Sequence, residues 1–410
     1  MKCRHCGQEL TYEFINLYNS PPSNSYLTYE QLNEPEVLYP LKIFVCDNCF
    51  LVQIDEYKKS GEIFNSDYAY FSSYSTSWLR HAKKYAAEIT ERLSLTKDSY
   101  VIEIASNDGY LLQYFKEKNI PCLGIEPTAS TAEAARKKGI DVLEQFFCAE
   151  MAQSLKKADL IIGNNVLAHV PDINDFVKGL KTALKPSGTI TMEFPHLLNL
   201  IQLNQFDTIY HEHFSYLSLL TVQKIFASQG LKIYDVEELP THGGSLRIYA
   251  AHDENDFAKT ENAVNKVIEK EKAAGLDKIE GYHGFEKKIQ EIKWGFFEFL
   301  LKARKEGKKI AAYGAAAKGN TFLNYCGIKS DIIEFVVDAS PHKQGKFLPL
   351  SHIPIVCEDT IRKENPDYIL ILPWNIKDEI TEQLSYVKEW GAEFITVIPG
   401  MQNLSMSGVV

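Results

Sequence analysis

The apolar residues of this chain fall into short runs separated by stretches of helical spacing. Runs over 100–104, 122–126, 160–163 and 188–193 are rich in Val, Ile, Leu and Thr, and each reads as a buried strand. Helical patterns lie between them, so strand and helix alternate. That order predicts an α/β fold built on a parallel sheet, with ligand loops at its carboxyl edge. A helix over about 78–93 precedes it. Strands over 231–235 and 245–249, joined across His242-Gly243-Gly244, read as a pair that completes the sheet. Residues 252–306 carry mostly charged helix, whose charges read as a solvated face. A second α/β unit follows: a strand over 309–313 enters Gly314-Ala-Ala-Ala-Lys318-Gly319, and strands are expected over 333–338, 368–372 and 393–397. The two units share no close sequence repeat, yet both have the pattern of one fold type.

A length of 410 residues suits two or three domains. The division expected is 1–60, a metal module; 61–250, the first α/β domain; 251–306, a helical connector; and 307–410, the second α/β domain. The formal net charge of −10 argues against a general nucleic-acid surface, and no basic stripe with interleaved aromatic positions is present. No apolar run reaches the roughly 18 residues needed to span a bilayer. The first residues show no basic segment followed by an apolar targeting run. A soluble protein of a reducing, cytoplasmic compartment is expected, without membrane or nucleic-acid partners. Nothing in the sequence fixes an oligomeric partner.

Cys3-x2-Cys6 and Cys46-x2-Cys49 supply two chelating turns, the spacing of one tetrahedral Zn2+ site. Four thiolates leave no open coordination position, so the metal is expected to be structural. His5 lies between the first pair and reads as a local polar residue. Cys122, Cys148, Cys326 and Cys357 read as buried thiols. Between the cysteine pairs, 20–40 is rich in Pro, Asn, Ser and Tyr and reads as an ordered excursion; 43–45 is a short strand.

The segment Val101-Ile-Glu103-Ile-Ala105-Ser-Asn107-Asp108-Gly109-Tyr110-Leu111 delivers an acid from a strand into a polar loop. A glycine there lets backbone N–H groups approach a polar ligand. The loop is neither G-x-G-x-x-G nor G-K-S/T, which lowers NAD and ATP in rank. Glu126 ends the next strand, where an acid can accept both hydroxyls of a ribose; its other reading is a helix cap. Phe146 and Phe147 can flank an adenine or pack in the core. Asn164 and Asn165 close another strand near the same crevice.

Tyr210-His211-Glu212-His213-Phe214 gathers four functional side chains. Imidazoles carry protons near neutral pH, a glutamate orients an imidazole or accepts a hydroxyl, and a tyrosine donates to an oxygen gaining charge. The spacing is not H-E-x-x-H, so a metallohydrolase is disfavoured. Both histidines can equally brace a turn. Lys318 near a helix start, with Gly314 and Gly319 allowing close approach, suits phosphate; helix-cap packing explains the same residues.

Taken together, the two cysteine pairs, Glu103-x-Ala105-x-Asn107-x-Gly109, Glu126-Pro127, Tyr210-His211-Glu212-His213-Phe214 and His242-Gly243-Gly244-Ser245-x-Arg247 resemble, in order and over nearly the whole chain, the zinc-containing, S-adenosylmethionine-dependent nucleotide-sugar C-methyltransferases. Ala105 departs from the glycine common in the wider superfamily. The resemblance implies a class I methyltransferase-like central domain, an N-terminal zinc-binding module and a C-terminal Rossmann-like domain. It assigns Glu103 to Gly109 to the methionine and ribose portions of the cofactor, with Tyr110 and Leu111 as further cofactor contacts, and Glu126 to the ribose hydroxyls. It assigns Tyr210, Glu212 and His213 to the sugar site, with His213 the preferred base, and places His169 nearby. Tyr70 is the expected lid or orienting tyrosine, with Tyr68 and Tyr74 competing. The implied substrate is a 4-keto nucleotide sugar, thymidine diphosphate-linked. His242, Arg247, Gly314, Lys318, Gly319, Lys346, Trp374 and Asn375 are its expected contacts. Methylation at C3 is expected, with C5 as the alternative. Small-molecule O- or N-methylation and a noncatalytic binding role are the competing readings.

Overall fold

A computed structural model describes residues 1–59, 61 and 71–404. Seventeen strands form three sheets among these residues. The amino-terminal part supplies β1 (Tyr12–Ser20), β2 (Tyr39–Val45) and β3 (Val52–Ile54). The middle of the chain supplies β4 (Val101–Ile104), β5 (Cys122–Ile125), β6 (Val142–Leu143), β7 (Ala158–Asn164) and β8 (Leu184–Pro195). It continues with β9 (Ser215–Tyr216), β10 (Leu231–Leu239) and β11 (Ser245–His252).

The central sheet runs β10-β11-β8-β7-β4-β5-β6. Strands β4 to β8 pair in parallel, and β11 runs antiparallel to both β8 and β10. All four residues of β4 are buried, as expected for a parallel strand covered on both faces. The helices that cover it are amphipathic. In Ile173–Ala183 the buried side chains Ile173, Phe176, Val177 and Leu180 follow helical spacing, and the Asp172 carboxylate accepts the N–H of Asp175 as a cap. The chain leaves β4 toward β5 and β6 on one side, then returns to β7 and β8 on the other. The carboxyl ends of β4 and β7 therefore flank a topological switch point, where such sheets open a crevice.

The carboxyl-terminal sheet consists of β12 (Ile310–Tyr313), β13 (Val336–Val337), β14 (Ile355–Val356), β15 (Tyr368–Ile371), β16 (Glu393–Thr396) and β17 (Gln402–Asn403). Its order is β14-β13-β12-β15-β16-β17, parallel except for β17. The same switch-point arrangement recurs here, around β12. The region 252–306 is largely helical, with Asn262–Ala273 and Phe285–Lys305 as its longest helices.

The first sheet, β1-β2-β3-β9, is completed by a strand from beyond residue 200: β3 pairs antiparallel with β9 through Val52↔Tyr216 and Gln53↔Ser215. A division at residue 60 therefore cuts a continuous sheet. One hydrophobic core joins Phe14, Ile15 and Ile43 of this sheet to Phe285 and Phe296 of the long helix and Phe322 of the carboxyl-terminal domain. A second core joins Cys3, Cys46 and Cys49 to Ile104 of β4 and Val222. Four contacts tie the 20–40 excursion to the carboxyl-terminal domain: Leu27 bridges Phe347, Asn320 Nδ2 donates to Ser23 O (2.6 Å), Tyr26 Oη donates to Ala315 O (2.6 Å), and His352 Nε2 lies 2.6 Å from Glu36.

Candidate active site

The two cysteine pairs fold as matching turns. Gly7 N–H donates to Cys3 O (2.9 Å) and Phe50 N–H to Cys46 O (2.9 Å). Gly7 (φ 75°) and Phe50 (φ 65°) take left-handed backbone just after each second cysteine. All four sulfurs lie within 4.8 Å of one another, with Cys3–Cys49 and Cys6–Cys46 both at 3.5 Å. A tetrahedron of Zn–S bonds near 2.3 Å puts sulfurs roughly 3.8 Å apart, so the donor set and its spacing fit zinc. Gln53 Nε2 donates to Cys3 Sγ (3.2 Å), the kind of outer contact that orients a ligand. His5 Nδ1 is bonded to Asn174 (2.8 Å) instead. Of the remaining cysteines only Cys326 is fully buried; Cys122 and Cys148 are half-buried and Cys357 is exposed, because it follows the short edge strand β14.

None of the four ligand cysteines borders the large cavity of about 540 Å3 at the carboxyl edge of the central sheet. One end of this cavity is the loop after β4. Ala105 (φ 55°), Asn107 (φ 49°) and Gly109 (φ 73°) all take left-handed backbone, which curls the loop tightly. A Cβ on Gly109 would sit 2.4 Å from Ile140 Cδ1, so glycine is required there by space as well as by φ. The Glu126 carboxylate accepts the N–H of Asn107 and of Thr128, both at 2.9 Å, and faces the cavity. Burial raises its pKa, opposed by those two N–H groups. Asn107 Oδ1 accepts Ser72 N–H (2.9 Å), and Asn164 Nδ2 donates to the Tyr110 hydroxyl (3.2 Å). Ala105, Asn107, Tyr110, Asn164 and both phenylalanines border the cavity; Phe146 is 47% exposed, while Phe147 packs edge-on against Phe176 (5.4 Å).

Three of the residues expected to meet the cofactor, Gly109, Leu111 and Glu103, do not border the cavity. Leu111 is a core residue packed with Phe115 and Ile140. Glu103 is wholly buried and does not border the cavity; desolvation raises its pKa well above the ordinary value, with a Tyr110 hydrogen bond opposing.

At the other end of the cavity lies the histidine cluster. His213 is flanked by Tyr210 (ring centroids 4.1 Å) and by His169 (4.6 Å, edge-on). His213 Nδ1 lies 2.9 Å from Thr208 O. A carbonyl only accepts, so Nδ1 carries the proton and Nε2 is left with a lone pair. Burial lowers His213 well below its ordinary pKa and His169 to about 4, so both rings are neutral at pH 7. Glu212 borders the cavity; burial pushes it up to about 7 while Asn24 Nδ2 donates to its Oε1 (2.8 Å). His211 turns away: Nε2 donates to Pro40 O (3.2 Å), bracing the amino-terminal module.

The carboxyl-terminal domain closes the cavity with Ala316, Ala317, Lys318 and Lys343. Ala317 starts a helix, Ala317–Cys326, whose N-terminus carries no side-chain cap. Lys318 Nζ donates to Asn375 Oδ1 (2.7 Å) and lies 4.7 Å from the Trp374 ring; Trp374 Nε1 donates to Asp207 Oδ2 (2.7 Å), just upstream of the histidine cluster. His242 (φ 54°), with Gly243 and Gly244, forms a left-handed turn; His242 Nε2 lies 2.9 Å from Asn165 Nδ2 and borders the cavity.

Of the eight expected sugar contacts only His242 and Lys318 border the cavity; Trp374 and Asn375 stand behind Lys318, and the other four are placed elsewhere. Gly314 and Gly319 serve packing: a Cβ would lie 2.4 Å from Pro373 and 2.8 Å from Leu372, respectively. Arg247 sits on the face of β11 turned to a separate, smaller cavity, bonded to Glu193 (2.6 Å) and 4.3 Å from the Tyr85 ring. Lys346 does not border the large cavity, whereas Lys343 does. Tyr70 and Tyr68 lie outside the described residues; Tyr74 is 68% exposed and away from the cavity. Sequence reasoning missed Asn24, Trp78, Asp207 and Lys343. Asn24 had a signal in the Pro-rich excursion, and Trp78 stacks on Tyr110 (5.9 Å) from the first helical turn after Ser75.

Residues 78–236 match a methyltransferase-domain family, 240–399 a C-methyltransferase C-terminal domain family and 3–64 a zinc-binding-domain family. The chain is 32% identical over 402 residues to C-methyltransferase NovU of Streptomyces niveus, covering 97% of this chain and 95% of that protein. Among solved structures, magnesium protoporphyrin IX methyltransferase of Synechocystis PCC 6803 with bound S-adenosylmethionine is similar at 15% identity over 42% of this chain and 79% of its own, with TM-score 0.34. A S-adenosylmethionine-dependent methyltransferase of Clostridium acetobutylicum is similar at 13% over 42% and 92%, with TM-score 0.35. With the four-cysteine cluster in one module and the looped acid crevice in the next, the full-length match means that this chain belongs to the zinc-containing, S-adenosylmethionine-dependent nucleotide-sugar C-methyltransferases.

Proposed function

We propose that the chain methylates C3 of a thymidine diphosphate-linked 4-ketosugar through a base-generated enolate. The observation that carries this reading is the His213 ring, whose Nδ1–H is committed to Thr208 O and whose Nε2 is free to accept a proton, in one cavity with the cofactor loop. The ketone makes the neighbouring C–H acidic. His213 Nε2 takes that proton; the C–H electron pair becomes a C=C bond to the carbonyl carbon, and the C=O π pair moves onto the oxygen. Tyr210 or His169 donates a hydrogen bond to that oxygen. The bound cofactor supplies an electrophilic methyl group on a sulfonium. Ala105, Asn107, Tyr110 and Glu126 would hold the cofactor, so that its methyl group would be presented to the carbon that His213 has deprotonated. Glu212, held by Asn24, is placed to accept a sugar hydroxyl or orient the neighbouring rings. Holding carbon and methyl in one enclosed site removes much of the association entropy. Lys318, Trp374 and Asn375 form the diphosphate side, with Lys318 giving the charge.

The test is mass spectrometry after incubation with S-adenosylmethionine and a panel of thymidine diphosphate 4-ketosugars. One added methyl that fragments with C3 supports the proposal. A methyl on C5 moves the reaction to the other flank of the ketone. Methylation of oxygen or nitrogen, with no deuterium exchange beside the ketone, overturns it.

A further inference from the structure

One arginine spans the two segments that carry the paired histidines of the cavity. Arg4 lies between Cys3 and Cys6, in the first turn of the metal site. Its guanidinium forks: Nη1 donates to Pro171 O (2.7 Å) and Nη2 donates to Ile54 O. Each carbonyl leads to one histidine. Pro171 closes the run His169-Val170-Pro171, and all three residues line the large cavity. Ile54 N–H donates to Phe214 O (3.2 Å), and Phe214 directly follows His213. The guanidinium also stands 5.3 Å from the centre of the Phe214 ring.

The root of Arg4 is fixed as well. Its N–H donates to Gln53 Oε1 (2.9 Å), while the buried Gln53 donates from Nε2 to Cys3 Sγ (3.2 Å). Beside it, Asn174 Nδ2 donates to His5 O (2.7 Å) and holds the turn against the helix Ile173–Ala183. The separation of the two histidine segments is thus set from the zinc-binding turn. The rings themselves stand 4.6 Å apart. Both take their bearings from backbone: His213 Nδ1 from Thr208 O (2.9 Å), and His169 from a hydrogen bond with the Glu212 backbone. A shift of either segment therefore moves a ring. A planar guanidinium reaches two carbonyls at a fixed separation, which an ammonium on a flexible stem does not.

We propose that Arg4 is a positioning residue: its fork sets where the His213 ring stands relative to His169 and the cavity. Arg4 does not itself line the cavity, so it acts through the two segments it joins. Its effect on turnover rests on the methylation reading of the site; its effect on ring placement does not.

The experiment compares the full-length, zinc-loaded wild type with Arg4→Lys and Arg4→Met, and with Lys224→Met as a control. Lys224 Nζ donates to Cys49 O (3.4 Å), a tie of the metal module to another helix. The first readout is the imidazole signals of His213 in 15N–1H NMR, identified with His213→Gln, on samples of equal zinc content. The second is kcat and KM for a thymidine diphosphate 4-ketosugar that the wild type methylates. Both Arg4 variants are expected to shift the His213 signals and to lower kcat roughly 10- to 100-fold, with S-adenosylmethionine affinity kept. Lys224→Met is expected to lower the melting temperature and leave both readouts in place. His213 signals that do not move in either Arg4 variant overturn the proposal, and so does an unchanged kcat in folded Arg4→Met. An equal loss of kcat in Lys224→Met overturns it too, because loosening of the module then suffices. Arg4→Lys keeps the charge and carries the comparison where Arg4→Met does not fold. A wild type that methylates no sugar of the panel removes the methylation reading, and the ring signals then decide on Arg4 alone.

Discussion

Glu212 is held where burial opposes its ionisation. Its pKa of about 7 stands above the ordinary carboxylate value because of desolvation, with Asn24 opposing. The sign follows from proton linkage. Between the ordinary value and pH 7 the unfolded chain releases this proton more readily than the folded one, so raising the pH through that window favours unfolding. The penalty is fully present above pH 7 and absent below the unfolded value; it is on the order of 3 kcal/mol at most. Glu212→Gln keeps an acceptor for Asn24 and removes the titration. Urea denaturation should find the variant more stable than wild type at pH 8, with the difference shrinking toward pH 4, while turnover falls. Equal stability gains at both pH values would argue against a titrating Glu212. His213 poses a separate question, because the proposed reaction needs its neutral ring as the base. His213→Gln should lower kcat by roughly 10²- to 10⁴-fold and abolish deuterium exchange beside the ketone, with cofactor affinity kept. Exchange at the wild-type rate would move the base to another residue.

The turn His242-Gly243-Gly244 shows how a short element joins two domains. A Cβ on Gly243 would lie 2.3 Å from the Trp374 ring, and its φ is 88°. Gly243→Ala should therefore push Trp374 off Asp207 and cost roughly 1–3 kcal/mol in denaturation. Cofactor affinity should change little, because Gly243 does not border the cavity that the loop after β4 lines. The same scale explains what the sequence reveals. Strands such as β4 and β7 are legible because a strand buried on both faces is an unbroken apolar run. Strand β1 is not, since Tyr12–Ser20 mixes polar and apolar residues on a sheet with one exposed face. The two-residue β9 exists only through its pairing with β3, a partner far away in the chain. Arg247 was legible as a charge but not as a direction: on a strand buried on both faces, composition does not tell which side receives a polar residue. Gly314 and Gly319 resemble a phosphate loop because close packing and close ligand approach both demand the absence of a Cβ. The cofactor acid and the Tyr-His-Glu-His run were legible because their chemistry is carried by contiguous residues, whereas Asn24 and Lys343 reach the cavity only through tertiary contacts.

For the molecule as a whole, zinc stands at the junction of the cores and not at the margin. Cys3, Cys46 and Cys49 pack in one core with Ile104 of β4, and the β1–β3 sheet shares another core with the carboxyl-terminal domain. Arg4, between the first two cysteines, reaches Pro171 O (2.7 Å) at the lip of the cavity. Thr221 Oγ1 and Lys224 Nζ both donate to Cys49 O, at 3.3 and 3.4 Å. A module tied in this way has no boundary along which it can melt alone. Binding energy of a structural zinc is folding energy, and here it is shared with all three sheets. Removing zinc with a chelator, or replacing Cys46 by Ser, should lower the melting temperature of the entire protein in one transition. Cofactor binding should disappear over the same temperature range, although none of the four ligand cysteines borders the large cavity. Differential scanning calorimetry with a parallel measurement of cofactor affinity separates the outcomes. A second, unshifted transition that still binds S-adenosylmethionine would mean that the shared cores carry little coupling, and that the zinc module is an independent domain attached to a self-sufficient methyltransferase.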